Sequence, residues 1–556
     1  MSNKNYTVEG EMERAVCNRF ITVKENESGC LEEIAFHNED EFNFAFDVTD
    51  VLGDKFGDRP AMLYVAKDMS ERFFTFGDIK RLSSQAANYF TDIGIKRGDR
   101  VMLVLKRHWQ FWVSILALHK IGAIAVPATS QLRERDFEYR FELGEIAAVI
   151  CTCEDETPQK IDAVQDKAPM LKIKVLVGEK RSGWHSFDDE VSDYSEDFPR
   201  TADAPCGNDP MFMFFTSGTT GYPKMVLHTY KYPLGHYITA KYWHNVREGE
   251  LHFTVSDTGW GKALWGKIYG QWLCGASIFV YDFDRFNASE ILPMFKKYNI
   301  VTFCAPPTVY RMLIKENFES YDLSSIQCAT TAGEALNPEV FKKFKEATGL
   351  SIMEGFGQTE TVLIIGTLRG MQPKAGSMGK PIPSYRIGLM NTDGEECAVG
   401  ETGEIVIYDG DTEMCGLFCG YCGRDDLTAE AWYDGAYHTG DLATRDSDGY
   451  YSYVGRKDDI IKSSGYRIGP FEIENLIMEL PFVTECAVSA EPDEIRGQIV
   501  KATIVLTKGT EPTEELKKEV QNYVKTKTAP YKYPRKVVFT EELPKTISGK
   551  VIRNEL

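Results

Sequence analysis

The chain has 556 residues, 43 % of them hydrophobic and 12 % aromatic, with a formal net charge of −20. That length is too great for one core and suits about three or four packing units, and the composition is that of an ordinary soluble globular protein. A global acidic field repels nucleic acid and anionic lipid, which excludes both as main partners, so any phosphate ligand must be met by local donors.

The N-terminal stretch MSNKNYTVEGEMERAVCNRF has no apolar signal core, and Glu9, Glu11 and Glu13 argue against a transit peptide. No apolar run reaches membrane-span length. A cytoplasmic protein without membrane insertion is expected. Thirteen cysteines, an odd number in a large chain, suit reduced thiols rather than a disulfide framework.

In FGDIKRLSSQAANYFTDIG, Ile79, Leu82, Ala86 and Tyr89 recur near helical spacing. RVMLVLK (100–106) reads as a buried strand, HWQFWVSILALHKIG as a helix, and AIAVPA as a short strand. Further strand–helix units begin at MFMFFTS, GASIFVYD and IVTFCAPP. Strands alternating with helices predict α/β layers. No fixed-period repeat and no low-complexity tract interrupts them.

One unit ends in FFTSGTTGYPKMV (214–226). Small residues let backbone N–H groups point inward, and hydroxyls and an ammonium add donors, as a phosphate cradle requires. It is not the usual ATPase loop, because Tyr222 and Pro223 separate Gly221 from Lys224. Near residue 457 the character changes. VGRKDDIIKSSGYRIGP is charged and glycine-bearing, and the strand candidates ECAVSA and IVKATIVLT follow it. The helix candidate TEELKKEVQNYVK then sets Leu516, Val520, Tyr523 and Val524 on one face. A second small domain over 458–556 is expected, after a large one over 1–457.

Four other stretches carry chemistry: MEGFGQTET (353–361), YHTGDLA (437–443), GRKDDIIKSSGYRIGP (455–470) and LPKTISGKVIR (543–553). Singly, each has an ordinary reading as turn, ion pair or tail. Together and in this order, with the phosphate loop, they resemble the adenylate-forming superfamily of acyl-CoA synthetases, luciferases and peptide-synthetase adenylation domains. SDTGW (256–260), SSGYRIGP (463–470) and APYKYPRK (529–536) look like its medium-chain acyl-CoA synthetase branch. The likeness runs from about residue 30 to the end. It implies a large N-terminal domain of mixed sheets and a small mobile α+β C-terminal domain.

The resemblance also implies roles. A carboxylate becomes a usable electrophile when joined to AMP, and a thiol then displaces the AMP. The first step sets one anion against another, so a cation must stand between them. That role carries over to Lys550. The loop Thr216, Ser217, Gly218, Thr219, Thr220, Gly221 and Lys224 would hold the pyrophosphate end of ATP. Thr359 and Glu360 belong to the catalytic segment, with Glu360 as a hard oxygen ligand for Mg²⁺. Asp441 would take the ribose hydroxyls with Arg456 beside it. Phe356 would stack on adenine, next to Gly357, Gln358 and the turn Gly333, Glu334 and Ala335. Arg467 would face the α-phosphate or the acyl-adenylate.

In the second step the small domain would rotate about Asp458 and bring CoA in. Ser464, Gly465 and Tyr466 match the segment beside its pantetheine arm. Arg496, Lys525, Tyr533 and Arg535, in a locally basic stretch, are candidates for its phosphates. Acetate-specific relatives place Trp where this chain has Gly357, which implies an acid larger than acetate, with Trp260 bounding the pocket from another side. Lys262 and Lys267, in GWGKALWGKIYG, depart from the apolar run expected there. The expected partners are a carboxylic acid, ATP and CoA; an oligomer is compatible with the sequence.

Two rivals stand beside this reading. Cys415, Cys419 and Cys422 have the C-x₃-C-x₂-C spacing that holds an iron–sulfur cluster in radical S-adenosylmethionine enzymes. However, Gly416, Phe418, Gly420 and Tyr421 keep the loop pattern of the adenylate-forming relatives. The other rival keeps the fold but loads a carrier protein, or oxygenates as luciferase does, instead of using CoA.

Overall fold

The computed structural model describes residues 10–216, 223–410, 414–464, 466–546 and 550–556. Ser217, Gly218, Thr219, Thr220, Gly221 and Gly465 lie outside them.

The helix Phe76–Asp92 begins at a capping box in which Thr75 and Asp78 each satisfy the other's backbone N–H, and its Ile79–Leu82–Ala86–Tyr89 face is buried. The strand Arg100–Val104, the helix Gln110–Ile121 and the strand Ile124–Pro127 follow. From Gln110 to Lys120 that second helix is buried all round, and its polar Lys120 is met by Asp50 at 2.8 Å. In an eight-stranded mixed sheet, Arg100–Val104 pairs in parallel with Ile124–Pro127 and Ile146–Thr152. Toward the opposite edge, Pro210–Thr216 and Lys224–Thr229 form an antiparallel pair, and Gly420–Tyr421 closes that edge.

A nine-stranded sheet holds Ser277–Tyr281, Ile300–Cys304 and Cys328–Thr331, and turns antiparallel at the hairpin Ile352–Gly357/Leu363–Gly366. A smaller sheet contains Thr402–Tyr408, Ala436–Arg445 and Tyr451–Arg456. Beyond it the chain builds a separate core from Ile461, Ile473, Val488, Ile504, Val520 and Val524. There the hairpin Val483–Asp493/Gly497–Leu506 carries the helices Pro470–Met478 and Glu514–Lys527. The architecture is therefore α/β, with a large N-terminal domain of mixed sheets and a small C-terminal α+β domain. The sequence reading missed the N-terminal hairpin Ile21–Glu25/Leu31–Phe36, the strand Pro60–Val65 and its partner Glu71–Thr75 at the sheet edge. Glu71–Thr75 exposes its first three residues and so carries little of a strand's apolar signal.

Candidate active site

The edge of the first sheet, the hairpin end of the second, the third sheet and the small domain meet at one place. Asp441 and Arg456 stand opposite each other on paired strands. Asp441 is 5 % exposed. Its Oδ2 accepts from Gln358 Nε2 at 2.5 Å and from Arg456 Nη1 at 3.2 Å, and its Oδ1 accepts from the Tyr453 hydroxyl at 3.0 Å. Tyr437 donates to Gln358 Oε1 at 2.7 Å and so fixes the amide's direction. Burial alone would lower the Arg456 pKa, but the Asp441 carboxylate raises it, so the pair stays ionic. Gly440 has φ +71°, and a Cβ there would lie 2.9 Å from Arg456 Nη2. A glycine is needed to turn the chain beneath the guanidinium. Phe356 faces Tyr453 with ring centroids 6.4 Å apart.

The phosphate side is built from the other sheet. Thr216 and Lys224 are partners in register across the strands that flank the glycine-rich loop. Lys224 Nζ lies 4.8 Å from the centre of the Tyr421 ring. The Tyr421 hydroxyl donates to Glu360 Oε1 at 2.8 Å. Burial, then the Glu360 charge, push the Tyr421 pKa upward, so it remains a neutral donor. The Thr359 carbonyl accepts from His228 Nε2 at 2.7 Å. Burial drives that imidazole down to about 4, so it is neutral and carries its proton on Nε2. Glu360 is half-buried, with one oxygen tied to Tyr421, and a hard carboxylate beside a phosphate loop suits Mg²⁺.

Two further lysines come from different domains. Lys262 Nζ donates to the Ala332 carbonyl at 2.7 Å, next to the Gly333–Glu334–Ala335 turn. Burial lowers the Lys262 pKa. Lys550 sits on a loop closed by Thr546, whose backbone N–H donates to the Lys550 carbonyl at 2.7 Å. Lys267, its neighbour in sequence, points elsewhere. It is 4 % exposed and donates to the Phe279 carbonyl at 2.6 Å. Trp260 is half-buried at the start of the turn that carries Lys262.

Gly357 is placed differently from the expectation. It is exposed, and a Cβ there would lie 2.4 Å from the Val362 carbonyl oxygen. The two strands approach so closely here that a side chain would have to push the Val362 carbonyl aside, so the glycine alone does not measure pocket size.

In the small domain Arg467 is exposed, and Tyr466, half exposed, stacks on Tyr531 with centroids 4.0 Å apart. The Ser464 N–H donates to the Arg496 carbonyl at 3.0 Å. Tyr533 lies between Lys525 and Arg535, whose Nη1 donates to its hydroxyl at 2.9 Å. Lys525, Tyr533 and Arg535 thus form one basic and aromatic cluster.

The sequence reading also missed Glu354. It is 5 % exposed and accepts from the Leu336 N–H at 3.1 Å, holding the Gly333–Ala335 turn from beneath. Burial pushes its carboxyl from 4.5 up to about 8. The native state therefore keeps a proton that the unfolded chain gives up. This stabilisation is complete below about pH 4 and is lost as pH rises through about 8, with a slope of up to about 1.4 kcal/mol per pH unit between them. Urea unfolding from about pH 5 to about pH 8 measures it. We expect Glu354→Gln to flatten the slope; parallel slopes would show an ionised Glu354.

Two family models match the chain: "AMP-binding enzyme" over residues 51–421 and "AMP-binding enzyme C-terminal domain" over 472–550. The chain belongs to the AMP-binding enzyme family. It is similar to the acyl-coenzyme A synthetase ACSM3, mitochondrial, of Homo sapiens, at 40 % identity over 93 % of this chain and 89 % of that protein. The Homo sapiens ACSM5 relative is 39 % identical over 93 % and 90 %. Among solved structures, the anthranilate CoA ligase AuaEII with anthranoyl-AMP superposes at TM-score 0.84 and 28 % identity, covering 93 % of this chain and 96 % of that one. The acyl-CoA synthetase of Brucella canis superposes at TM-score 0.71 and 28 % identity, covering 93 % and 94 %. The protein is an AMP-forming acyl-CoA synthetase.

One expectation is corrected, and one rival reading loses support. The cytoplasmic location is overturned by these relatives, which are named as mitochondrial proteins. No described helix is long and apolar enough to cross a membrane. The cysteine cluster also fails. Cys415 is buried, Cys419 exposed and Cys422 intermediate, and the backbones of Cys419 and Cys422 pair with the strand at Leu227 and Met225. Among the described residues, the three do not come together at the spacing that holds a single metal ion. Residues alternating along such an edge point to opposite sides.

Proposed function

We propose that this synthetase activates a carboxylic acid larger than acetate (medium-chain, branched or aromatic) as acyl-AMP and passes the acyl group to CoA. The observation that supports this reading is the buried Asp441 carboxylate held by Gln358, Arg456 and Tyr453, with Lys262 beside the Gly333 turn and Lys550 on the small domain's loop. There the carboxylate would meet the α-phosphate with cationic charge at hand. Asp441 would accept from the ribose, Phe356 would flank the base, and Thr216 and Lys224 would receive the pyrophosphate. When bound at Glu360, Mg²⁺ would neutralise phosphate charge. No general base is required, since the acid is already ionised. Tyr466, Arg496, Lys525, Tyr533 and Arg535 would receive CoA once the domain beyond residue 457 has turned about Asp458.

The acid class rests on relatives, one of which is an anthranilate ligase, and on the Trp260–Lys262 wall. The test is kcat/KM across straight-chain, branched and aromatic acids, because that ratio reports discrimination. We expect the maximum at an acid larger than acetate, with CoA as acceptor. A maximum at acetate overturns the acid class; transfer to a carrier protein in preference to CoA overturns the acceptor.

A further inference from the structure

His108, Glu154 and Asp282 meet away from every residue assigned above. Each follows the C-terminal end of a parallel strand: Arg100–Val104, Ile146–Thr152 and Ser277–Tyr281. The first two strands belong to the eight-stranded sheet and the third to the nine-stranded sheet. One ligand atom from each lies within 4.8 Å of the others. His108 Nε2 is 3.4 Å from Glu154 Oε1 and 3.6 Å from Asp282 Oδ2. These separations exceed those of charge-assisted hydrogen bonds, which are about 2.7–2.9 Å. They match the edge of a tetrahedron, about 3.4 Å, whose centre lies about 2.0–2.2 Å from each N or O ligand.

Asp282 supplies an independent sign. It is 3 % exposed, and its Oδ1 has no hydrogen-bond partner among the described residues. A buried carboxylate so placed must either keep a proton or meet a cation. Lys106 and Lys67 do not serve it. Lys106 Nζ bonds Glu154 Oε2 at 2.8 Å and Asp284 Oδ1 at 2.5 Å, and Lys67 Nζ pairs with the same Glu154 oxygen and with Asp284. That division ties down Oε2 and leaves Glu154 Oε1 turned toward His108.

We infer that His108, Glu154 and Asp282 form a site for one divalent transition-metal cation that clamps the two large sheets together. One imidazole with two carboxylates favours a borderline ion such as Zn²⁺ or Co²⁺ over Mg²⁺ or Ca²⁺, which take all-oxygen shells.

Co²⁺ is the probe, because the chain's thirteen cysteines would also attract a soft metal. Thiolate ligation gives an intense near-ultraviolet charge-transfer band that nitrogen and oxygen ligands lack. The full-length protein, treated with chelator and desalted, should bind one equivalent of Co²⁺ with visible bands and no thiolate band. Its Tm should rise by about 2 °C or more at saturation. His108→Gln and Asp282→Asn should each lose both effects, while keeping acid-, ATP- and CoA-dependent turnover as evidence that they fold. Absence of saturable binding, a thiolate spectrum, or binding that is equal in the parent and both variants overturns the site. If one variant does not fold, the comparison with the other decides.

Discussion

Lys550→Ala is expected to abolish acyl-adenylate formation, with a loss of at least about 100- to 1000-fold, while thioester formation from supplied acyl-AMP stays within about threefold. The loss is the size observed when one preorganised charge partner is removed from a reacting anion. Lys262 cannot take over, because its ammonium is committed to the Ala332 carbonyl and is weakened by burial. The sparing of the second step follows from the geometry of a moving domain: the lysine would have left when CoA arrives. Pyrophosphate exchange reads the first step and thioester yield the second. Equal losses in both would remove the case for rotation.

The second large effect concerns the turn at the domain junction. Asp458 lies in the short helical turn Lys457–Asp459, between the third sheet and the small-domain core. Contacts across the junction include a polar one, in which Asn337 Nδ2 donates to Asn475 Oδ1 at 3.2 Å, and an aromatic one, in which Tyr453 faces Phe471 at 5.9 Å. Such contacts are cheap to exchange, so the turn's dihedral freedom limits the motion. Proline fixes φ near −65°. Asp458→Pro should therefore form adenylate within a few-fold of the parent and transfer it to CoA about 100-fold more slowly or worse. Unimpaired overall turnover would place the hinge elsewhere.

Much of the site could be read in the sequence because its reacting groups sit in short contiguous motifs. Gln358, Thr359 and Glu360 are adjacent, and Asp441 follows its own glycine turn. The supports were not legible, because the fold brings them from distant segments. Tyr453 and Tyr437 reach Asp441 and Gln358 from neighbouring strands, and Tyr421 reaches Glu360 across 61 residues. Tyr421 was visible only as part of a loop pattern. Glu354 reads as one more acid until burial sets it apart. Lys262 and Lys267 look alike on paper; one turn of chain sends the first to the site and the second into the core. Gly357 shows the reverse hazard, since a missing side chain suggested pocket space where the nearest neighbour is the backbone of Val362.

The central claim is that the acid is activated through its own oxygen on AMP. A carboxylic acid labelled with ¹⁸O at both oxygens tests this in a single turnover with ATP and CoA. The carboxylate oxygen that attacks the α-phosphate leaves with AMP when the thiol adds to the carbonyl carbon. The account predicts one labelled oxygen in AMP and the other in the thioester carbonyl. Label in inorganic phosphate with formation of ADP, or AMP released without label, would contradict it.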